Sequence, residues 1–202
     1  KIKKLKFNSP KIYFDLANIH KGFKEYDKSI ENYNFALEKI SKDSDSYADI
    51  LYRRGGSYER LKAYKKADKD LLLSLELSPD QPYVLNYLAY SWLEPEIKNK
   101  QSMEMLLRAY EQKQNDPYII DSVGWAYYLT EDYVSAEKYL QNALIIMPED
   151  PVVNDHYGDV LWKLNMKLQA TYYWNAALSS EEAEDKLKKD INKKLLFGLI
   201  NS

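Results

Sequence analysis

Residues 117–150 read PYIIDSVGWAYYLTEDYVSAEKYLQNALIIMPED, and this stretch decides the fold. Small residues stand at Gly124, Ala136 and Ala143, and large apolar residues recur between them at helical spacing. Pro148 follows the second apolar run, where a proline ends one helix. The stretch therefore predicts two α-helices joined by a tight turn and packed on each other through their small side chains.

The same pattern recurs along the chain. The first small residue appears five times, at successive spacings of 38, 34, 35 and 34 residues: Ala17, Gly55, Ala89, Gly124 and Gly158. A second small residue follows after 12 or 13 positions: Ser29, Ala67, Ser102, Ala136 and Ala170. A third comes seven positions later: Ala36, Ser74, Ala109, Ala143 and Ala177. A period in this range predicts a solenoid of helix pairs.

This pattern resembles the tetratricopeptide repeat, most closely at residues 117–150 and 48–81. The resemblance extends over residues 10–182 as five units: 10–43, 48–81, 82–116, 117–150 and 151–182. It implies an all-α fold, a right-handed superhelix of five helix pairs whose first helices line a concave groove. Two insertions predict local irregularities, a longer loop around residues 41–46 and a longer turn within residues 94–100.

The two ends of the chain differ from the repeat. Residues 1–9 are interpreted as the remnant of a preceding segment, because no capping helix comparable to the C-terminal one precedes Pro10. Residues 183–202 are predicted to form a C-terminal capping helix that begins near Glu181. The helical pattern itself runs from Glu181 to Ile200. The apolar face of this helix would consist of Leu187, Ile191 and Leu195, and its charged face would point to water.

Composition excludes several classes of partner and site. The chain of 202 residues carries 29 Lys and Arg against 31 Asp and Glu, so it has no positive field for nucleic acid. No apolar run approaches the ~20 residues of a membrane span, so we expect no membrane insertion. The absence of cysteine excludes disulfides and thiolate metal sites, and it fits either the cytoplasm or the periplasm and envelope.

Projection of the first helices onto a helical wheel predicts the groove lining. The predicted partner-binding residues are Asn18, Tyr52, Arg53, Tyr83, Asn86, Tyr87, Tyr90, Tyr118, Asp121, Trp125, Tyr128, Asp155, His156, Asp159 and Trp162. The charged side chains projected beside them at the N-terminal end are Lys11, Asp15, Lys21, Asp49, Glu59 and Arg60. The lining is thus of mixed charge at this end, aromatic in the middle and acidic at the far end.

This lining favours a protein partner. Aromatic rings with a polar tip give large contact areas and are enriched at protein-binding hot spots. The acidic far end favours a partner segment that carries Lys or Arg beside apolar side chains. The resemblance likewise implies a non-enzymatic scaffold for protein–protein interaction. The alternatives are a structural or self-assembling subunit, or an accessory domain of a longer protein whose activity lies outside this sequence.

Some tetratricopeptide-repeat proteins hold the C-terminal carboxylate of a partner in a clamp of Lys and Asn side chains. Asn18 fits this clamp, but Phe14, Arg53 and Tyr87 stand at other clamp positions. The resemblance therefore does not imply binding of chaperone tails.

One cluster suggests a metal or catalytic site. Asp155 and Asp159 share a helix face, His156 adjoins it, and Asp121 of the preceding unit is the one further donor. A polar groove wall is the favoured interpretation, because metal sites of this type need more ligands. His20 is interpreted as a packing residue. No phosphate loop, zincin motif or nucleophile elbow occurs, so we predict neither a cofactor nor catalysis.

Overall fold

The computed structural model describes residues 9–93 and 99–199, and all regular structure in these ranges is α-helical. The helices are α1 Pro10–Gly22, α2 Tyr26–Lys39, α3 Asp45–Arg60, α4 Tyr64–Leu77, α5 Pro82–Leu93, α6 Asn99–Gln112, α7 Pro117–Leu129, α8 Tyr133–Ile146, α9 Pro151–Lys163, α10 Lys167–Ser179 and α11 Asp185–Phe197. α1 packs on α2, α3 on α4, α7 on α8 and α9 on α10. The predicted all-α fold of helix pairs with a C-terminal helix is confirmed.

The first helices begin at signals that the sequence contains. Pro117 and Pro151 occupy the first turns of α7 and α9, where a proline loses no hydrogen bond. Asp116 accepts hydrogen bonds from two backbone amides of α7, and Asp150 does the same for α9. These caps mark where the α7–α8 and α9–α10 pairs start.

The turn within each of the four fully described pairs has one geometry. Its middle residue has a left-handed backbone, with φ between 58° and 64°: Lys24, Lys62, Glu131 and Asn165. The next residue donates its amide to a carbonyl five residues back, as Asp132 does to Tyr127 at 3.0 Å. Three connecting residues thus reverse the chain and bring the second helix against the first.

Close packing through the small residues is confirmed. Ala17, Ala136 and Ala170 are at most 3% exposed. A Cβ on Gly124 would lie 2.7 Å from Cγ of Leu140, so α7 and α8 approach where the side chain is missing. The three sets of small positions are therefore the contact lines of the helix pairs.

The longer loop predicted around residues 41–46 is only partly present. The connection between α2 and α3 runs over residues 40–44, whereas α8 and α9 are joined by residues 147–150. Most of the inserted residues form an additional first turn of α3, which has 16 residues against 13 in α7. The predicted turn within residues 94–100 and the predicted remnant at residues 1–9 lie largely outside the described residues.

The contacts divide the chain into two compact units, Lys1–Val84 and Leu85–Ser202. The first unit has a core around Tyr33 and Ile50. The second has a core around Leu140, Trp174 and Ile191. Ile191 belongs to α11, so the C-terminal helix closes the apolar end of the α9–α10 pair.

Candidate functional site

The central feature of the second unit is a row of three stacked rings on the first helices α7 and α9. The rings of Trp125 and Tyr128 lie 4.6 Å apart at 13°, and those of Trp125 and His156 lie 4.1 Å apart at 16°. Trp125 and Tyr128 share one face of α7 because they are three residues apart. The sequence-predicted Trp125, Tyr128 and His156 are therefore brought together, and we call them the ring stack.

A buried hydrogen bond fixes the end of the ring stack. His156 is 7% exposed, and its Nδ1 lies 2.9 Å from Oδ1 of Asp121, which is also 7% exposed. Burial lowers the pKa of His156, but the charge and hydrogen bond of Asp121 outweigh burial, so the net shift is upward. The pair favours a protonated imidazole that cannot turn away from Trp125.

Two buried polar atoms of the second unit lack partners among the described residues. Nε1 of Trp125 and Oδ1 of Asn86 make no hydrogen bond there. The indole N–H is a donor and the amide oxygen is an acceptor, and a peptide group offers a partner to each kind. Unpaired buried polar atoms destabilise a protein, and an incoming ligand would satisfy them.

The exposed rings differ in their surroundings. Tyr118 is 63% exposed at the start of α7, and Tyr83 is 44% exposed in the first unit. Tyr87 and Tyr90 are half-buried and make contacts of their own. Tyr118 is thus the most accessible aromatic residue of the predicted lining.

The acidic far end of the predicted groove is not open in the structure. Asp155 and Asp159 are 6% and 4% exposed. Nζ of Lys194, from α11, lies 2.8 Å from both carboxylates. Nε1 of Trp174 also donates to Asp159 at 2.9 Å. A partner's Lys or Arg therefore has no unpaired carboxylate to bind at this position.

The role of Lys194 differs from the sequence prediction, which places the charges of the C-terminal helix on its solvent face. Burial lowers the pKa of Lys194, and the two carboxylates raise it above the ordinary value. Burial raises the pKa of Asp159 to about 6, against the opposing effect of Lys194. The position of Lys194 three residues after the apolar Ile191 is the only signal in the sequence for this contact.

Trp162 is also not on an open surface. Its ring lies 5.2 Å from that of Trp174, and it packs against Gly198 just after α11. Gly198 has φ +71°, and a Cβ there would clash with Trp162. Trp162 therefore serves to dock the end of α11, and the predicted groove is closed beyond the ring stack.

The carboxylates near His156 are engaged by other side chains. Among the described residues no group of three or more His, Asp or Glu side chains is placed to hold a metal ion. Asp121 pairs with His156, whereas Asp155 and Asp159 form internal ion pairs with Lys194. His20 is half-buried, and its Nδ1 lies 2.6 Å from Glu25, so it is a hydrogen-bonded residue of the α1–α2 turn.

The predicted residues of the first unit lie on α1, α3 and the start of α5. The carbonyl oxygen of the Asn18 side chain accepts a hydrogen bond from the hydroxyl of Tyr33 at 2.7 Å. Nε of Arg53 donates to both oxygens of Asp49 at 3.0 and 3.1 Å. Tyr52 is half-buried and already makes a contact. Asn18 thus has only its NH₂ group left to offer to a peptide.

Lys21 stands out among the charged side chains of the first unit. It is half-buried at the end of α1, and its ammonium group makes no hydrogen bond or ion pair with a described residue. Burial and then the charges of Arg53 and Arg60 lower its pKa. The helical wheel places it correctly beside Arg53 and Arg60, but its lack of a counter-ion emerges only from the structure.

None of the described helices is long and apolar enough to cross a bilayer. A tetratricopeptide-repeat family model matches residues 48–81, which comprise most of α3 and all of α4. The TPR repeat-containing protein PA4667 of Pseudomonas aeruginosa is 29% identical over 124 residues, which are 61% of this chain. The match spans only 21% of that relative's length.

Solved structures share the fold over most of the chain. The thermophilic TPR protein TTC0263 of Thermus thermophilus has a TM-score of 0.73 at 16% identity, covering 93% of this chain and 100% of that one. MamA from Desulfovibrio magneticus RS-1 has a TM-score of 0.66 at 16% identity, covering 87% and 97%. A chain of the APC/C hetero-tetramer Cut9–Hcn1 has a TM-score of 0.80 at 17% identity, covering 94% and 36%.

At these identities the solved structures show the fold alone. The family model, the Pseudomonas relative and the structural neighbours all indicate the same repeat, which is also the one that the small-residue period predicts. The chain therefore carries a tetratricopeptide repeat at residues 48–81, and its fold is that of tetratricopeptide-repeat proteins.

Proposed function

We propose that this protein is a non-enzymatic scaffold that binds a segment of a partner protein on its first-helix surface, which is formed by the first helices of the helix pairs. The ring stack is the anchor of this surface. The tetratricopeptide-repeat fold is generally a scaffold for protein–protein interaction. The proposal goes beyond the fold because it assigns the surface and the residues.

The ring stack with its unpaired donor is the observation that carries the proposal. Trp125 lies between Tyr128 and His156, and its N–H has no acceptor among the described residues. Tryptophan and tyrosine dominate binding hot spots because they combine a large apolar area with a polar tip. A peptide carbonyl that accepted the indole N–H would satisfy this buried donor and lie against the rings.

The chemistry of the partner follows from the exposed ring and the unpaired polar atoms. Tyr118 offers an exposed ring, and Oδ1 of Asn86 is an unpaired buried acceptor that a peptide N–H would satisfy. Lys194 already neutralises the acidic end. The second unit therefore favours an extended segment with apolar or aromatic side chains, held through its backbone, over one rich in Lys and Arg.

A matched pair of tyrosines tests the surface. Tyr118 on α7 and Tyr172 on α10 are both exposed, at 63% and 69%. Peptides are selected from a random library against the wild-type chain, and their affinities are measured by fluorescence anisotropy for each variant. Tyr118→Ala should weaken binding by about tenfold or more, as for a hot-spot aromatic residue. Tyr172→Ala should have no effect.

Trp125→Phe adds a second test, because it keeps an aromatic ring and removes the N–H. We expect it to weaken binding by about threefold to tenfold, since one hydrogen bond is lost. Selected peptides that bind Tyr118→Ala and Trp125→Phe as tightly as the wild type would refute the proposed surface.

A second candidate function is self-assembly through α1. The side chains of Leu16, Ile19 and Phe23 are 39%, 53% and 75% exposed and follow one another along one helix face. The positions equivalent to Leu16 and Ile19 in α9 are Tyr157 and Val160, which are at most 5% exposed. An α1 face of this kind would fit a second copy of the chain. Light scattering of the wild type should then show a mass that rises with protein concentration. The Ile19→Glu variant should have the mass of a monomer. A constant monomer mass in the wild type would exclude self-assembly.

A further inference from the structure

The end of α1 carries a lysine without a counter-ion. Lys21 is half-buried, and no described carboxylate lies within ion-pair distance of its ammonium group. A Lys in the last helical turn is favoured by the helix dipole, which explains why the residue is basic. The dipole does not explain why two further cations face it from α3.

Those cations are Arg53 and Arg60, seven residues apart and hence on one face of α3. Burial lowers the pKa of Lys21, and the charges of these two arginines lower it further. The guanidinium carbon of Arg53 also lies 5.4 Å from the ring centroid of Phe14. Three cations from two first helices are thus electrostatically coupled, and one of them lies over an aromatic ring.

The two nearby carboxylates are engaged elsewhere. Asp49 accepts both contacts from Nε of Arg53 at 3.0 and 3.1 Å. Glu59 lies 3.7 Å from Nε of Arg60 and makes a further interaction. These three cations and two carboxylates thus leave an excess of one positive charge, and Lys21 is the cation without an ion pair to a described carboxylate.

We propose that Lys21, with Arg53 and Arg60, forms an anion-binding site for one carboxylate of an acidic partner segment. This inference rests on the proposed scaffold function and specifies the ligand chemistry of the first unit. An incoming carboxylate would provide the missing counter-ion, and its neighbouring apolar side chain would pack on Phe14. An excess of one charge matches a carboxylate better than a doubly charged phosphate.

The proposal differs from the expectation of a partner segment that carries Lys or Arg beside apolar side chains. That expectation rested on Asp121, Asp155 and Asp159; His156 pairs with the first, and Lys194 with the other two. In the first unit the unmatched charge is positive. An Asp or Glu beside an aromatic or apolar residue is therefore the complementary sequence.

Paired peptides test the site. The probes are fluorescein-labelled ten-residue peptides with one Glu next to Phe, the same peptides with Gln in place of Glu, and the same peptides with phosphoserine. We expect the wild type to bind the Glu form about tenfold more tightly than the Gln form, as for a charged hydrogen bond. Lys21→Met should abolish this Glu-to-Gln preference, and Lys21→Arg should restore most of it.

Lys65 is the matched control, because it is exposed on the second helix α4 of the same unit. Lys65→Met should retain the Glu-to-Gln preference in full. Thermal melting of each variant verifies folding, and Arg60→Gln tests the same site if Lys21→Met melts early. In the wild type, NMR titration of the Lys21 ε-carbon should show its pKa rising when the Glu peptide binds.

The outcomes distinguish the possible failures. A Glu-to-Gln preference that persists in both Lys21→Met and Arg60→Gln would overturn the site. Tighter binding of the phosphoserine form, lost in Lys21→Met, would overturn the assignment to a carboxylate. Binding that depends on Tyr118 but not on Glu would refute this inference alone, whereas the absence of any Tyr118-dependent binding would refute the scaffold function as well.

Discussion

Gly158 shows how one missing side chain sets the distance between two helices. It faces the indole of Trp174, which is completely buried, and the same indole donates its N–H to Asp159 at 2.9 Å. A larger residue at position 158 would therefore displace the ring and break the bond that satisfies a buried carboxylate. Packing and polar pairing are coupled at this position.

Gly158→Ala should destabilise the protein, because its Cβ would clash with the rigid Trp174 ring. We expect a loss of about 2–4 kcal/mol in the free energy of unfolding, measured by urea denaturation. Gly22→Ala is the control, since a Cβ at Gly22 would meet nothing within 4 Å. A loss in Gly158→Ala no larger than the change in Gly22→Ala would contradict this account of the pair.

His156 predicts a pH dependence of stability. Its folded pKa lies above the ordinary value of 6.5 because Asp121 outweighs burial. The groups that face it are Asp121, Asp155 and Asp159, and Lys194 binds the last two. A raised pKa means that the folded state binds the proton more tightly than the unfolded state does. The His156 contribution is therefore complete below pH 6.5 and is lost as the pH rises through the folded pKa.

The comparison of His156→Gln with the wild type isolates this contribution from other titrating groups. We expect the difference in the free energy of unfolding to be largest near about pH 5.5 and to shrink at higher pH. Urea denaturation over about pH 5–9, with two-dimensional NMR of the imidazole, measures it. A difference that grows with rising pH would show that burial of the neutral ring governs His156 instead.

The helix pairs of this protein share one architecture, and α11 stands outside it. The first helices α7 and α9 begin at an Asp cap, and each fully described pair reverses through a turn with one left-handed residue, such as Glu131. α11 packs Ile191 into the core and extends Lys194 to α9. It thus both covers the last pair and closes the end of the first-helix surface.

Lys194→Met should be strongly destabilising, because it leaves Asp155 and Asp159 buried beside each other without a cation. We expect a loss of about 3–5 kcal/mol at pH 7. The neighbouring Lys193→Met is the control, since Lys193 is 71% exposed and pairs with Asp190 at 3.4 Å. It should cost less than about 1 kcal/mol.

The pH dependence of the stability lost in Lys194→Met tests the role of charge. Because protonated carboxylates need no counter-ion, the defect in Lys194→Met should be smaller at about pH 4.5 than at pH 7. Equal losses at the two pH values would indicate that the lysine acts only through packing of its methylene groups.

Across the whole molecule, the sequence predicts the repeat well because small residues recur in register and caps mark the helix starts. It predicts the ring stack only in part. Trp125 and Tyr128 are close along α7, whereas the contact of Trp125 with His156 joins α7 of one helix pair to α9 of the next. Long-range charges are the least predictable, because the pairing of Lys194 depends on how the last helix folds back.

The division into two compact units predicts how the whole molecule responds to local damage. In a solenoid, each pair contacts only its neighbours along the chain, so stability is approximately a sum of local contributions. Leu140→Ala removes a completely buried side chain from the core of the second unit and should cost about 2–5 kcal/mol there. Amide hydrogen exchange followed by mass spectrometry should show faster exchange over residues 117–179 and unchanged exchange over residues 10–60. Ile50→Ala, in the core of the first unit, should give the reverse pattern. Faster exchange along the entire chain in both variants would show instead that the two units unfold as one cooperative body.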